Sequence, residues 1–136
     1  MTTVKDVKVI EFKSFSDPNG TLTVYESGDR VPFDMKRVFC IDTKISAERG
    51  HHAHHECSQL LVALRGKIDV VVDDGVERKT FPLTTGGRGL LLPPGIWGEQ
   101  NFGNDSLLMV LTDRVYEESD YIRDRDAFLK YKKDGK

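Results

Sequence analysis
Short apolar runs broken by turn signals at regular intervals constrain this chain more than any other feature. Thr21–Glu26 follows the turn-forming Asp17-Pro18-Asn19-Gly20 and reads as a strand. Arg37–Asp42 and Gln59–Leu64 are the next candidates, and Gly66 then interrupts the chain. Lys67–Asp73 is rich in Val and Ile, and Asp74-Gly75 supplies a hairpin turn before Glu77–Leu83. Gly86-Gly87 is another break. Gly89–Leu92 is a short strand that stops at Pro93-Pro94-Gly95, and Ser106–Thr112 is the last strong one. This rhythm predicts an all-β barrel or sandwich. The tail departs from it. Tyr121, Ile122, Phe128 and Leu129 recur at helical spacing, with Ser119 or Asp120 able to cap the start. A short C-terminal helix over about 119–132 is therefore expected to pack on the barrel, with a charged Lys130–Lys136 end that frays.

The 136 residues suit one domain, 1–136, large enough to bury a core without a disulfide or metal. Twenty basic residues against 22 acidic ones give a net charge of −2, which excludes a nucleic-acid binder that relies on a wide basic surface. There is no run of 18 apolar residues to span a membrane, and MTTVKDVKVIEFK lacks the apolar stretch of a signal peptide. A cytoplasmic protein is expected. Cys40 and Cys57 are too few and too far apart for a zinc knuckle or redox pair, and read as small apolar residues.

All four histidines, His51, His52, His54 and His55, fall within five residues. In an extended segment side chains alternate between faces. His52 and His54 should therefore face the interior together, with His51 and His55 turned away.

His52-Ala53-His54, four residues, Gln59, six residues and Gly66 resembles the first motif of the cupin superfamily; Gly87, five residues, Pro93-Pro94-Gly95, two residues and Gly98 resembles the second. The resemblance implies an all-β cupin jelly-roll barrel. It also implies an altered site. A metal-binding cupin has Glu where this chain has Gln59 and His where it has Gly98. A carboxamide is a poor transition-metal ligand and glycine supplies none, so no metal and no other cofactor is expected. The two imidazoles are then available for proton transfer near neutral pH.

A narrower family is resembled over nearly the whole chain, from about Gly20 to Tyr131. Pro32-Phe33, Lys36-Arg37-Val38, Arg49-Gly50-x-His52-Ala53-His54, Gln59, Leu64-x-Gly66, Val72-Asp73-Asp74-Gly75, Gly89-Leu90, Pro94-x-x-Trp97 and Tyr116-x-Glu118-x-x-Tyr121-Ile122-Arg123 are similar to the 3,4-ketoisomerases acting on dTDP-4-keto-6-deoxyglucose. The resemblance implies migration of a keto group from C4 to C3 without a metal, in the synthesis of 3-amino sugars of bacterial surface glycans. It also implies a homodimer with exchanged N-terminal strands.

Such chemistry needs a base for the proton on C3, a second proton carrier between the oxygens and donors for the enolate. His54 is the better candidate for the carbon base, with His52 its partner in relay. Gln59 suits an imidazole or sugar hydroxyl, Arg37 and Arg49 an oxyanion or the diphosphate, and Trp97 stacking on the sugar or base. Each arginine has a structural ion pair as its alternative, and Trp97 has core packing. Tyr121, Ile122 and Arg123 read as structural, closing the barrel with the helix. Three positions depart from many family members: Gly98 after the Trp, Phe39-Cys40 in place of two tyrosines, and Asn19. Asn19 and the Glu99-Gln100-Asn101 stretch are candidates for choosing the face of C4 that is reprotonated. Competing readings are a non-catalytic nucleotide-sugar-binding cupin and a 3,5-epimerase-type enzyme.

Overall fold
The computed structural model describes residues 1–135. The strands in chain order are β1 (Lys8–Glu11), β2 (Ser14–Asp17), β3 (Gly20–Thr23), β4 (Arg37–Thr43), β5 (Ala47–His54), β6 (Gln59–Arg65), β7 (Lys67–Asp73), β8 (Arg78–Thr84), β9 (Arg88–Leu92), β10 (Trp97–Phe102), β11 (Ser106–Thr112) and β12 (Tyr121–Ile122). One helix, α1 (Arg125–Asp134), follows. Two five-stranded antiparallel sheets, β1-β9-β6-β11-β4 and β12-β5-β10-β7-β8, face each other, and β2-β3 forms a separate hairpin. This is the cupin-like jelly roll expected of the chain.

The core follows from alternation. Ile68, Val70 and Val72 of β7 point inward against Leu61, Leu90 and Leu108 of the opposite sheet, all fully buried. β6 and β11 read as continuous apolar runs because their outer face is covered too: Leu60, Val62 and Leu111 pack with Phe12 and Val31. The outer face of the other sheet is closed by α1, where Phe128 packs with Ala53, Trp97 and Ile122. Burying Phe128 completely is worth roughly 2–3 kcal/mol.

The tail differs from expectation. The helix begins at Arg125, where the Asp124 side chain accepts from the Ala127 N–H. Upstream, Tyr121-Ile122 pairs with the free edge of β5, Tyr121 opposite His54 and Ile122 opposite Ala53. Asp120 does not cap the helix, because its carboxylate is engaged at His54. The expected fraying after Lys130 is also corrected for the described residues. Lys132 is buried and its ammonium donates to the Thr2 and Gly95 carbonyls at 2.7 and 2.9 Å. Gly95 in turn donates to the His54 carbonyl, so α1 braces the histidine strand.

Candidate active site
A bulge shapes the histidine strand. The β5–β10 register runs from Ala47↔Phe102 to Gly50↔Glu99 and then jumps to His52↔Gly98. His51 is the extra residue, and it and Gly50 both adopt left-handed backbone (φ 57° and 92°). Strict alternation would put Arg49 on the face opposite His52. With one residue looped out, Arg49 and His52 border the same cleft. His51 lies at the rim of that cleft, with its ring turned toward Glu48 at 3.5 Å and Glu99 at 3.7 Å. His55 does point elsewhere, edge-on to Tyr131 of α1.

His52 and His54 lie together, ring centroids 5.1 Å apart and perpendicular. The Tyr121 ring touches both, at 5.0 and 4.3 Å. His54 is buried, and its Nδ1 lies 3.0 Å from Asp120 Oδ2. A carboxylate oxygen only accepts, so Nδ1 carries the proton and Nε2 presents its lone pair. Among the described residues nothing pairs with that Nε2. Asp120 is held in turn by the backbone N–H groups of Glu56 and Cys57 (2.8 and 3.2 Å). Burial lowers the His54 pKa, against the upward pull of Asp120. Burial, with His54 as neighbour, brings His52 down to about 4. Both rings are therefore neutral at physiological pH.

The cleft has a volume of about 340 Å³. Arg37, Phe39 and Ile41 project into it from alternate positions of β4, joined by Arg49, His52, Gln59, Gln100, Tyr121 and Arg123. His54 borders a small side pocket that shares Arg37, Gln59 and Tyr121 with the cleft. Arg37 lies over the Phe39 and Tyr116 rings, at 4.5 and 5.1 Å. Among the described residues neither Arg37 nor Arg49 forms an ion pair, which leaves two guanidinium groups for an anionic ligand.

Three expected substrate contacts lie on the outer face of the sheet instead. Trp97 is core, its ring tilted against Phe128 at 5.5 Å. Its Nε1 donates to Glu99, which also takes a 2.7 Å bond from Arg78. Asn101 is exposed on that same face, two residues further along β10. Pleating explains the correction: Gly98, Gln100 and Phe102 take the inner face, so Trp97, Glu99 and Asn101 cannot. Asn19 sits at the exposed β2–β3 turn, where its N–H donates to Asp17, and does not border the cleft of its own chain.

Asp120, Tyr121 and Arg123 are site neighbours that the sequence reading does not assign, whereas Gln100, of the Glu99-Gln100-Asn101 stretch, does border the cleft. Tyr121 and Arg123 read as structural from sequence, yet both border the cleft, with the Arg123 guanidinium 4.2 Å over the Tyr121 ring. Their signal was the Tyr-Ile-Arg motif itself. The ligand atoms of His54, Cys57 and Asp120 lie within 4.8 Å of one another. The donor chemistry fits a metal poorly. Burial, with Asp113 and Asp120 nearby, pushes the Cys57 thiol up to about 12, and His54 Nδ1 is engaged by Asp120.

Residues 5–133 match the family model FdtA (WxcM-like, C-terminal). The chain is 42% identical over 126 residues, 91% of each chain, to a TDP-4-oxo-6-deoxy-alpha-D-glucose-3,4-oxoisomerase of Aneurinibacillus thermoaerophilus. A 3,4-ketoisomerase from Helicobacter canadensis superposes with a TM-score of 0.91 at 36% identity, covering 95% of this chain and 98% of its own. A histidine-to-asparagine variant of the 3,4-ketoisomerase QdtA from Thermoanaerobacterium thermosaccharolyticum, solved with TDP-4-keto-6-deoxyglucose, gives 0.89 at 34% identity over 94% of each chain.

Proposed function
The chain belongs to the FdtA family and is a sugar 3,4-ketoisomerase, and from that premise we propose that it converts dTDP-4-keto-6-deoxyglucose into the 3-keto isomer through an enediolate. The single observation that carries the mechanism is the His54–Asp120 pair, with a buried, unpartnered Nε2 on a ring that borders the side pocket sharing Arg37, Gln59 and Tyr121 with the cleft. The C4 ketone acidifies the C3–H bond. His54 Nε2 takes that proton, the C–H electrons form the C3=C4 bond, and O4 takes the carbonyl electrons. A proton then passes from O3 to O4. Collapse of O3 to a ketone lets C4 take the proton from the His54 imidazolium. His52 is a neutral imidazole able to donate a hydrogen bond to the developing O4 anion. Gln59 holds a ring or sugar hydroxyl, while Arg37 and Arg49 meet the enolate or diphosphate. These steps need no metal, since Gln59 and Gly98 stand at two of the expected ligand positions.

In this reading the 1–136 domain works as a cytoplasmic homodimer that exchanges N-terminal strands, and its product supplies 3-amino-3,6-dideoxy sugars for O-antigen-type glycans. The β2–β3 hairpin supports the exchange. All of β2 is exposed, Phe15 and Leu22 face each other across the hairpin in solvent, and a lone two-stranded ribbon is marginal in water. Exchange would also give Asn19 a second copy's cleft to act in.

The test is incubation with dTDP-4-keto-6-deoxyglucose, followed by NMR of the borohydride-reduced sugar. The expected result is hydride addition at C3, unaffected by prior chelation. Tight binding without conversion would establish the non-catalytic reading, and inversion at C3 or C5 with the ketone still at C4 would establish the epimerase.

A further inference from the structure
We propose that the Tyr121 hydroxyl carries the proton between the two sugar oxygens. This rests on the ketoisomerase reading and deepens it. The carrier must give a proton to O4 and take one from O3. His52 is poorly suited to do both. Whichever of its nitrogens faces substrate, that one nitrogen either donates or accepts unless the ring becomes an imidazolium. Burial opposes that cation. A hydroxyl gives and accepts at a single atom.

Among the described residues, one hydroxyl-bearing side chain borders the cleft, Tyr121. Phe39, on the facing strand, brings a ring without a proton. Tyr121 pairs directly with His54 across the β12–β5 ladder, its ring touches both imidazoles, and it borders both the cleft and the His54 side pocket. The Tyr116 hydroxyl is bound to Glu118, whereas none of the hydrogen bonds among the described residues involves the Tyr121 hydroxyl. Arg123 over the ring face fixes its plane. In the step, Tyr121 O–H protonates the O4 anion as its oxygen takes the O3 proton. The tyrosine is left unchanged, and the negative charge moves from O4 to O3.

Tyr121→Phe tests this by separating two events that His52 or a merely structural Tyr121 would leave coupled. Formation of the 3-keto sugar should fall at least about 100-fold with KM within about threefold of wild type. Solvent deuterium should still wash into C3 of recovered substrate, because His54 continues to form the enediolate. Replacing Tyr121 by 3-fluorotyrosine, which keeps ring and hydroxyl, should restore most of the product formation and guards against a folding defect. The assignment falls if Tyr121→Phe keeps kcat within about threefold, or if exchange and product disappear together. An inactive wild type would instead overturn the ketoisomerase reading beneath it.

Discussion
His54→Asn is expected to lower product formation by about 10²–10⁴-fold while leaving the fold intact. The asparagine amide falls near the place of Nδ1 and can still donate to Asp120, so that buried carboxylate keeps a partner. What disappears is Nε2, the lone pair available to C3. KM should change little, since the ring takes a proton rather than holding the nucleotide. Steady-state kinetics beside a thermal melt check this. Near-wild-type turnover would remove His54 from the mechanism, and a melt lowered in step with activity would make its role structural.

Asp120→Asn is expected to have the next largest effect, a kcat loss of about 10²–10³-fold. Asp120 accepts from His54 Nδ1 and from two backbone N–H groups. An asparagine oriented to keep the Glu56 bond turns its NH₂ toward the other donors. That amide can then donate to Nδ1, which places the ring proton on Nε2 and presents substrate with a donor in place of a base. The pH profile distinguishes this from simple loosening. His54 works as the neutral ring, and its pKa is lowered by burial against an upward pull from Asp120. Wild-type kcat/KM should therefore hold to below the ordinary histidine range and fall as acid protonates the ring. Without the carboxylate that limb should move to still lower pH, so the small residual rate survives further into acid. An unmoved limb, or unchanged kcat, would detach Asp120 from the base.

Much of the fold was legible because its signals are local. The Val- and Ile-rich β7 and the apolar β11 end where the turn residues say they should, at Lys67–Asp73 and Ser106–Thr112. β10 was not legible as a strand. Trp-Gly-Glu-Gln-Asn-Phe is too polar for an apolar run, yet it lies between β5 and β7 with Gln100 facing the cleft. Without that pleat, sequence alone points Glu99, Asn101 and Trp97 toward substrate. The pairing of His52 with His54 was legible from alternation, whereas the bulge that adds Arg49 to the cleft arises from left-handed backbone at Gly50-His51. Asp120 reaches His54 across 66 residues of sequence, and Tyr121 does so through an edge pairing that helical periodicity disguised. Both contacts depend on how the tail returns to β5, which no local pattern encodes.

The most direct measurement of the central claim is turnover of dTDP-4-keto-6-deoxyglucose in deuterated water. Because His54 takes the C3 proton and returns it to C4, the C4 hydrogen of the 3-keto product should be a mixture of protium carried from C3 and solvent deuterium, and recovered substrate should carry some deuterium at C3. Complete retention of protium, at C4 of the product and at C3 of recovered substrate alike, would fit a direct hydride shift and contradict the enediolate route.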